Sequence, residues 1–353
     1  MALIFADGCD RYTTTTPLET MYTYVDSTDV AINTTGGVWG GGAIEINDNH
    51  AANRFPLEIG IPGIAATEDI FCQFWFKCED IASTDIVCFR SDGGIAPNMR
   101  LTLTDSGGLA YSSANATTTT REYSDGGIIR PNKWVHIGVR FDPANNTGEC
   151  QVWVNGTQVW NDVADMTGTG QNTNCTSITF GGGFNNTQTF TFDDIMIYDA
   201  TGTNFNSFLG PKRIYTLNPD GAGATTNGTA TGAASNWQAV DETGDFDTTT
   251  YVEIGTTANL DLYTASALPE TPDSVDGVEV VAIARSAGST PRQGRVLARE
   301  NVTTGNGTTV DIAFGGDEGY YPIRHLFATN PDTATAWTAT TVNAMEIGWE
   351  LVT

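Results

Sequence analysis

The hydrophobic positions of this chain repeat with a period of two far more often than at helical spacing. From residue 134 to 141, Val135, Ile137, Val139 and Phe141 fall on one face of an extended strand, and Trp134, His136 and Arg140 fall on the other. The spacing predicts a β-strand with a committed core side. Residues 142–148 then bring a proline that presets φ, with Asn and Gly that tolerate the left-handed region, so the chain reverses. Cys150, Val152 and Val154 alternate with Gln151, Trp153 and Asn155 on the return. Asn155-Gly156 is the dipeptide best suited to a tight hairpin turn before Val159 and Trp160. The stretch predicts a three-stranded meander.

The rest of the first half follows the same pattern. Leu3 and Phe5 predict a short strand that turns over residues 7–12, and a Thr-rich loop follows at 13–16. Five glycines in residues 36–42 surround Val38 and Trp39 ahead of a strand at 43–46. No helix or Lys-Ser/Thr follows them, so tight β geometry is preferred over a phosphate loop. Residues 69–78 are apolar on parts of both faces (Ile70, Phe71, Phe74, Trp75, Phe76), which suits a central strand. Strands are also expected at 86–89, 99–103 and 107–111. Residues 190–199 read as the closing strand of a first domain. Within it Asp193-Asp194 invites a metal or catalytic reading, but by strand parity the two point to opposite faces. One acid facing solvent or capping a neighbouring loop is preferred.

Residues 200–213 act as a joint, with a new strand expected over 212–217, and the low-complexity run 221–235 is expected to be an exposed loop. Strands follow at 278–285, 293–298 and 308–314, with a turn at 315–319. Met345, Ile347, Trp349 and Leu351 alternate with Glu346, Gly348 and Glu350, giving one buried and one acidic face. The fold class is therefore all-β, with two domains assigned to 1–208 and 209–353.

The 353 residues carry a formal charge of −26. Nine basic residues face 24 acidic ones in 1–208, and seven face 18 in 209–353, giving −15 and −11. Such a surface repels phosphate and disfavours nucleic acid or docking on an anionic membrane. No apolar run approaches the ~20 residues of a membrane helix. The opening segment lacks a basic region and meets Asp7 early, so synthesis and folding in a cytoplasm are expected. Six cysteines lie in the first half without a Cys-x-x-Cys pair. Cys72 and Cys78 share the parity of Phe74 and Phe76 and read as small core residues, while disulfide formation after release stays open.

Three stretches carry a resemblance. Trp134-x-His136-Ile137-x-Val139-x-Phe141-Asp142, then Val152-Trp153-Val154-Asn155-Gly156, then Phe192-Asp193-Asp194-Ile195-x-Ile197-Tyr198-Asp199 resemble, in their order, concanavalin A-like or laminin G-like jelly-roll domains over residues 1–208. Further segments are similar to structural proteins of tailed bacteriophages built from this domain plus a second β domain. These are Asp7-Gly8-Cys9-Asp10-x-Tyr12, Phe208-Leu209-Gly210-Pro211-Lys212-Arg213-Ile214 and Asp247-Thr248-Thr249-Thr250-Tyr251-Val252. Cys9 stands where such proteins often have Phe. The resemblance implies a jelly-roll sandwich followed by a second β-sandwich. It also implies a place on the virion exterior as a tail, neck or fibre appendage or a capsid decoration. Symmetric self-association and other virion proteins as partners follow from that role.

Candidate chemistry is sparse. Asp241, Glu242, Asp245, Asp247 and Glu253 form the densest acidic group. Asp241, Asp245 and Asp247 are candidate Ca²⁺ ligands, although the offsets of an EF-hand loop are missing and a solvated loop is preferred. His50 reads as a loop residue, His136 lies across its strand from the core face, and His325 sits in 322–327. None joins a nucleophile or zinc motif. Glycoside hydrolysis needs two carboxylates ~5–10 Å apart. Glu45 and Asp48 have the wrong parity for that role, so no catalytic residue is assigned and a glycan-cleaving enzyme is the minority expectation. A carbohydrate-binding receptor module is the alternative, with a host surface glycan as partner. Trp134 and Trp153, on the non-core faces of neighbouring strands, are its candidate glycan or protein contacts.

Overall fold

A computed structural model describes residues 3–48, 55–64, 69–91, 98–113, 121–122, 125–144, 147–164, 166, 174–182, 188–201, 204–242, 249–286, 292–312 and 320–353. The chain divides into two compact units, Met1–Ile214 and Tyr215–Thr353. The first unit runs past the expected boundary at 208, because residues 205–214 lie across one of its faces.

The first unit opens with β1 (Leu3–Asp7), β2 (Tyr24–Val25), β3 (Val30–Asn33), β4 (Ala43–Asp48) and β5 (Leu57–Ile64). It continues with β6 (Ile70–Cys78), β7 (Thr84–Arg90), β8 (Met99–Leu103), β9 (Leu109–Ser113) and β10 (Arg121–Glu122). It closes with β11 (Val135–Phe141), β12 (Gly148–Val154), β13 (Thr157–Ala164), β14 (Cys175–Phe180) and β15 (Gln188–Asp199). One helical turn, α1 (Thr16–Met21), follows the Thr-rich loop. Pro17 presets its first turn, and Leu18 and Met21 are buried under it.

Two antiparallel sheets form the sandwich. One has the order β13-β12-β11-β6-β15-β4-β3, with β1 paired to β15, and the other β10-β9-β8-β7-β14-β5-β2. The expected meander is β11-β12-β13. Its turn is Asn155-Gly156 with φ of 50° and 84°, the pair of positive values that a tight hairpin demands. Between the sheets the inward rings interlock. Phe74 lies 5.5 Å from both Phe180 and Phe192, and Phe89 lies 5.1 Å from Phe141. Each such ring contributes roughly 1.5–3 kcal/mol by leaving water. All six cysteines are buried and free, Cys72 and Cys78 beside these rings on β6 as their parity predicts. Burial pushes the Cys150 and Cys175 thiols up to about 12.

The second unit contains β16 (Pro219–Thr226), β17 (Thr229–Thr231), β18 (Tyr251–Glu253), β19 (Leu260–Ala265) and β20 (Val278–Ala284). It continues with β21 (Arg292–Glu300), β22 (Thr303–Asn306), β23 (Val310–Ile312), β24 (Tyr321–Phe327), the short helix α2 (Ala339–Asn343) and β25 (Glu346–Leu351). A sheet of order β16-β19-β25-β21-β22, with β23 on β21, packs its Val296 and Ala298 against Val278, Val280, Ile323 and Phe327 of the β20-β24 ladder. On its other face Arg295 meets Glu350 at 2.7 Å. The whole chain is therefore all-β, a jelly-roll sandwich followed by further antiparallel sheets.

Two local expectations are corrected. Residues 212–217 form no strand; Lys212 O and Ile214 N instead bond side chains of the first sheet. The run 221–235 contains β16 and β17 rather than a plain loop. Its Gly and Ala residues permit close pairing: a Cβ at Gly223 would lie 2.5 Å from the Leu262 backbone.

Candidate functional site

The candidate site is the outer face of the first sheet, where each strand's alternate residues emerge. β6 presents Gln73, Trp75 and Lys77; β11 presents His136, Gly138 and Arg140; β12 presents Gln151 and Trp153. In an isolated sandwich this face would meet water. Here residues 205–214 cross it. The Phe208 ring stacks on Trp153 at 4.5 Å and 9°, and lies 5.9 Å from the His136 ring. Gly138 makes room for it, since a Cβ there would stand 2.2 Å from the Phe208 ring. The backbone of this strap is tied down strand by strand. Tyr198 donates to Ser207 O at 3.2 Å, Gln73 Nε2 to Gly210 O at 3.3 Å and Trp75 Nε1 to Lys212 O at 3.1 Å.

The strap explains two features that strand parity alone could not supply. His136 is buried although it faces away from the core, and its loss of hydration holds its pKa down to about 4. Trp153 has one ring face occupied by Phe208 of its own unit. Trp134 is half-buried, with Lys77 Nζ 4.8 Å from its ring centre. The two tryptophans singled out from the sequence thus sit on this face, each with an intrachain ring contact.

Beyond the strap's end, four acids converge. The register of β15 slips between Asp193 and Met196, and Asp194 takes φ 49°, a bulge that overrides the parity of a regular strand. Both acids are therefore buried together instead of facing opposite ways. Asp193 accepts from Val38 N and Asp194 N, each at 2.8 Å. Asp194 accepts from Trp39 Nε1 and Ile214 N, each at 2.8 Å. The pair caps the neighbouring glycine loop, and neither acid faces solvent. Asp10 holds Gly42 N at 2.9 Å, and Asp7 accepts from the Tyr12 and Tyr22 hydroxyls at 2.6 and 3.0 Å. Desolvation pushes Asp193 up to about 7, with Asp10 and Asp7 adding to the rise against the two backbone donors. Desolvation and the neighbouring Asp193 raise Asp194 in the same direction.

This cluster fixes a side chain that the sequence reading passed over. Trp39 stands at the tip of the glycine loop, 48% exposed. Its indole meets Trp75 edge-on at 5.7 Å, and the Arg213 guanidinium carbon is 5.2 Å from its ring centre. The available signal was an aromatic residue flanked by glycines, which strips the loop of competing side chains.

The remaining candidates stay dispersed. Asp241 is partly exposed and Glu242 accepts from Thr250 Oγ1 at 2.7 Å. Asp245, Asp247 and His50 lie outside the described residues. Among the described residues, no group of three or more His, Cys, Asp or Glu side chains is placed to hold a metal ion. Glu45 accepts from Asn33 Nδ2 at 2.7 Å, and His325 Nδ1 lies 3.2 Å from Thr308 N.

Residues 62–204 match the family described as the concanavalin A-like lectin/glucanases superfamily. The first unit accordingly contains a concanavalin A-like, laminin G-type domain. No curated protein matches the sequence. Among solved structures the chain is similar to a sialidase at 13% identity and TM-score 0.41, over 55% of this chain and only 18% of the sialidase. It is similar to the alginate lyase Aly36B at 13% identity and TM-score 0.39, over 55% of this chain and 95% of that one. It is also similar to domain 4 of AbnA, an extracellular arabinanase from Geobacillus stearothermophilus, in complex with arabinotriose. That likeness has 17% identity and TM-score 0.32, over 48% of this chain and 75% of that one. Likenesses this distant carry no substrate or role to this chain.

Proposed function

We propose that this chain is a non-enzymatic structural protein of the exterior of a tailed-phage particle, and that its first unit serves there as a glycan-binding module. The supporting observation is how the acids and aromatics of the outer face are used. Every carboxylate oxygen of Asp193 and Asp194 accepts an N–H, so the one adjacent acid pair on this face acts as a clamp. The tryptophans around it are held in place, and rigid aromatic rings are effective contacts for a ligand with an apolar face. The phage part of the reading rests on the resemblance of residues 7–12, 208–214 and 247–252. The first two segments supply Asp10, which holds the glycine loop, and the strap.

The test applies the full chain to a glycan array and, separately, to a reducing-end release assay. Glycan binding without release is the expected outcome. Release of reducing ends would overturn the non-enzymatic reading. Saturating attachment to phage particles with no glycan bound would remove the glycan part and leave the exterior structural role.

A further inference from the structure

Trp39 is displayed rather than packed. The indole's single polar atom, Nε1, is spent on the buried Asp194, so the exposed part of the ring offers a carbon surface. Leaving that surface in water is unfavourable for a purely structural residue. The loop that carries it is held at successive points: Val38 N by Asp193 at 2.8 Å, Gly42 N by Asp10 at 2.9 Å, Gly37 N by Gly41 O at 2.8 Å and Gly40 N by Gly37 O at 3.1 Å. Trp75 supports the indole from the side. The ring therefore loses little freedom when something stacks on it, which is the condition for an aromatic contact to yield affinity.

The setting fits a small occupant. The flanking glycines present no side chains, and a Cβ at Gly40 would meet nothing within 4 Å. A protein partner needs a continuous patch of about 800 Å² per side, whereas one sugar ring needs a flat carbon surface with hydroxyl partners at its edge. Asp10, exposed and with one oxygen fixed by Gly42, supplies an acceptor, and the Arg213 guanidinium, which lies over one face of the indole, supplies donors. The charge setting favours a neutral sugar: Asp10 stands close enough to Arg213 to offset the one cation at the spot, on a chain of net charge −26 that disfavours uronates, sulfates and sialic acids.

We propose that Trp39 is a stacking contact for a neutral glycan on the indole face not covered by Arg213, with Asp10 and Arg213 as the polar partners. This rests on the glycan-binding reading of the first unit but assigns the contact to a residue other than Trp134 or Trp153. The test is affinity electrophoresis of the full chain through gels containing dextran, galactomannan or alginate, with Trp39→Ala, Trp39→Phe and Trp153→Ala compared at matched thermal stability. Wild type is expected to be retarded by a neutral polysaccharide and not by alginate. Trp39→Ala should weaken that binding about tenfold or more, and Trp39→Phe, which keeps an aromatic face, should retain part of it. Undiminished binding by a folded Trp39→Ala overturns the assignment while leaving the glycan reading intact, and so does loss confined to Trp153→Ala. Alginate binding equal to that of the neutral gels overturns the ligand class. Retardation by none of the three overturns the assignment and the reading beneath it. Should Trp39→Ala fail to fold, N-bromosuccinimide oxidation of wild-type Trp39, mapped by mass spectrometry, decides. Slower oxidation with the neutral polysaccharide supports the contact, and an unchanged rate overturns it.

Discussion

The Asp193 carboxyl offers a prediction whose sign can be worked through. Its folded pKa lies near 7 against an ordinary 3.8, raised chiefly by desolvation and further by Asp10 and Asp7. A carboxyl raised on folding binds more protons in the native state. It therefore adds stability that is full below pH 3.8 and is lost as pH rises through about 7. Between pH 8 and pH 5 this gain has a ceiling of about 3 kcal/mol. His136 works the other way. Burial lowers it from 6.5 to about 4, so its contribution is full above 6.5 and is lost as pH falls towards 4. By pH 5 that loss is about 2 kcal/mol. Asp194, raised in the same direction as Asp193, adds to the wild-type curve, so the informative quantity is its difference from Asp193→Asn, which cannot ionise but leaves His136 in place. Calorimetry of the first unit's transition from pH 5 to 8 should show that difference moving in the wild type's favour towards pH 5. The ceiling corresponds to roughly 6–12 °C in Tm. A difference independent of pH, or one that moves in the wild type's favour as pH rises, would refute the reasoning.

Other outcomes follow from the same geometry. Gly138→Ala places a methyl group where the Phe208 ring lies and should cost about 1–3 kcal/mol through displacement of the strap. Adding Phe208→Ala should make that substitution nearly neutral in urea unfolding. All six thiols are buried, with raised pKa values for Cys72, Cys88 and Cys150 among them, so Ellman's reagent should react only slowly with native protein and rapidly with six equivalents after unfolding. Phe74→Ala, which empties the centre of the ring cluster, should cost about 3–5 kcal/mol in the same assay.

How much of this was legible in the chain depended on the range of the interaction responsible. The β11-β12-β13 meander could be read directly because alternation at Val135, Ile137, Val139 and Phe141 and the Asn155-Gly156 turn are local signals. The same alternation misplaced Asp193 and Asp194, since parity assumes a regular pleat and the bulge at Asp194 breaks it. Nothing local announces that residues 205–214 will cover the face carrying His136 and Trp153; that follows from contacts between Phe208 and strands about 55–72 positions earlier. The β16 strand was hidden for another reason. Pro219–Thr226 is built of small residues whose ladder depends on backbone pairing with β19, so it carries little hydrophobic signal. Trp39 has no periodic apolar neighbours, and the glycines around it signal only turn chemistry, so nothing local marks it as a displayed ring.

Fluorine NMR of the full chain labelled with fluorotryptophan tests the central claim most directly, because eight tryptophans give site-resolved signals that single substitutions can assign. Titration with the neutral polysaccharide that retards the wild type is predicted to shift or broaden the Trp39 resonance first, with Trp153 beneath Phe208 unchanged. A titration that moves Trp134 or Trp153 while Trp39 stays fixed would contradict the account.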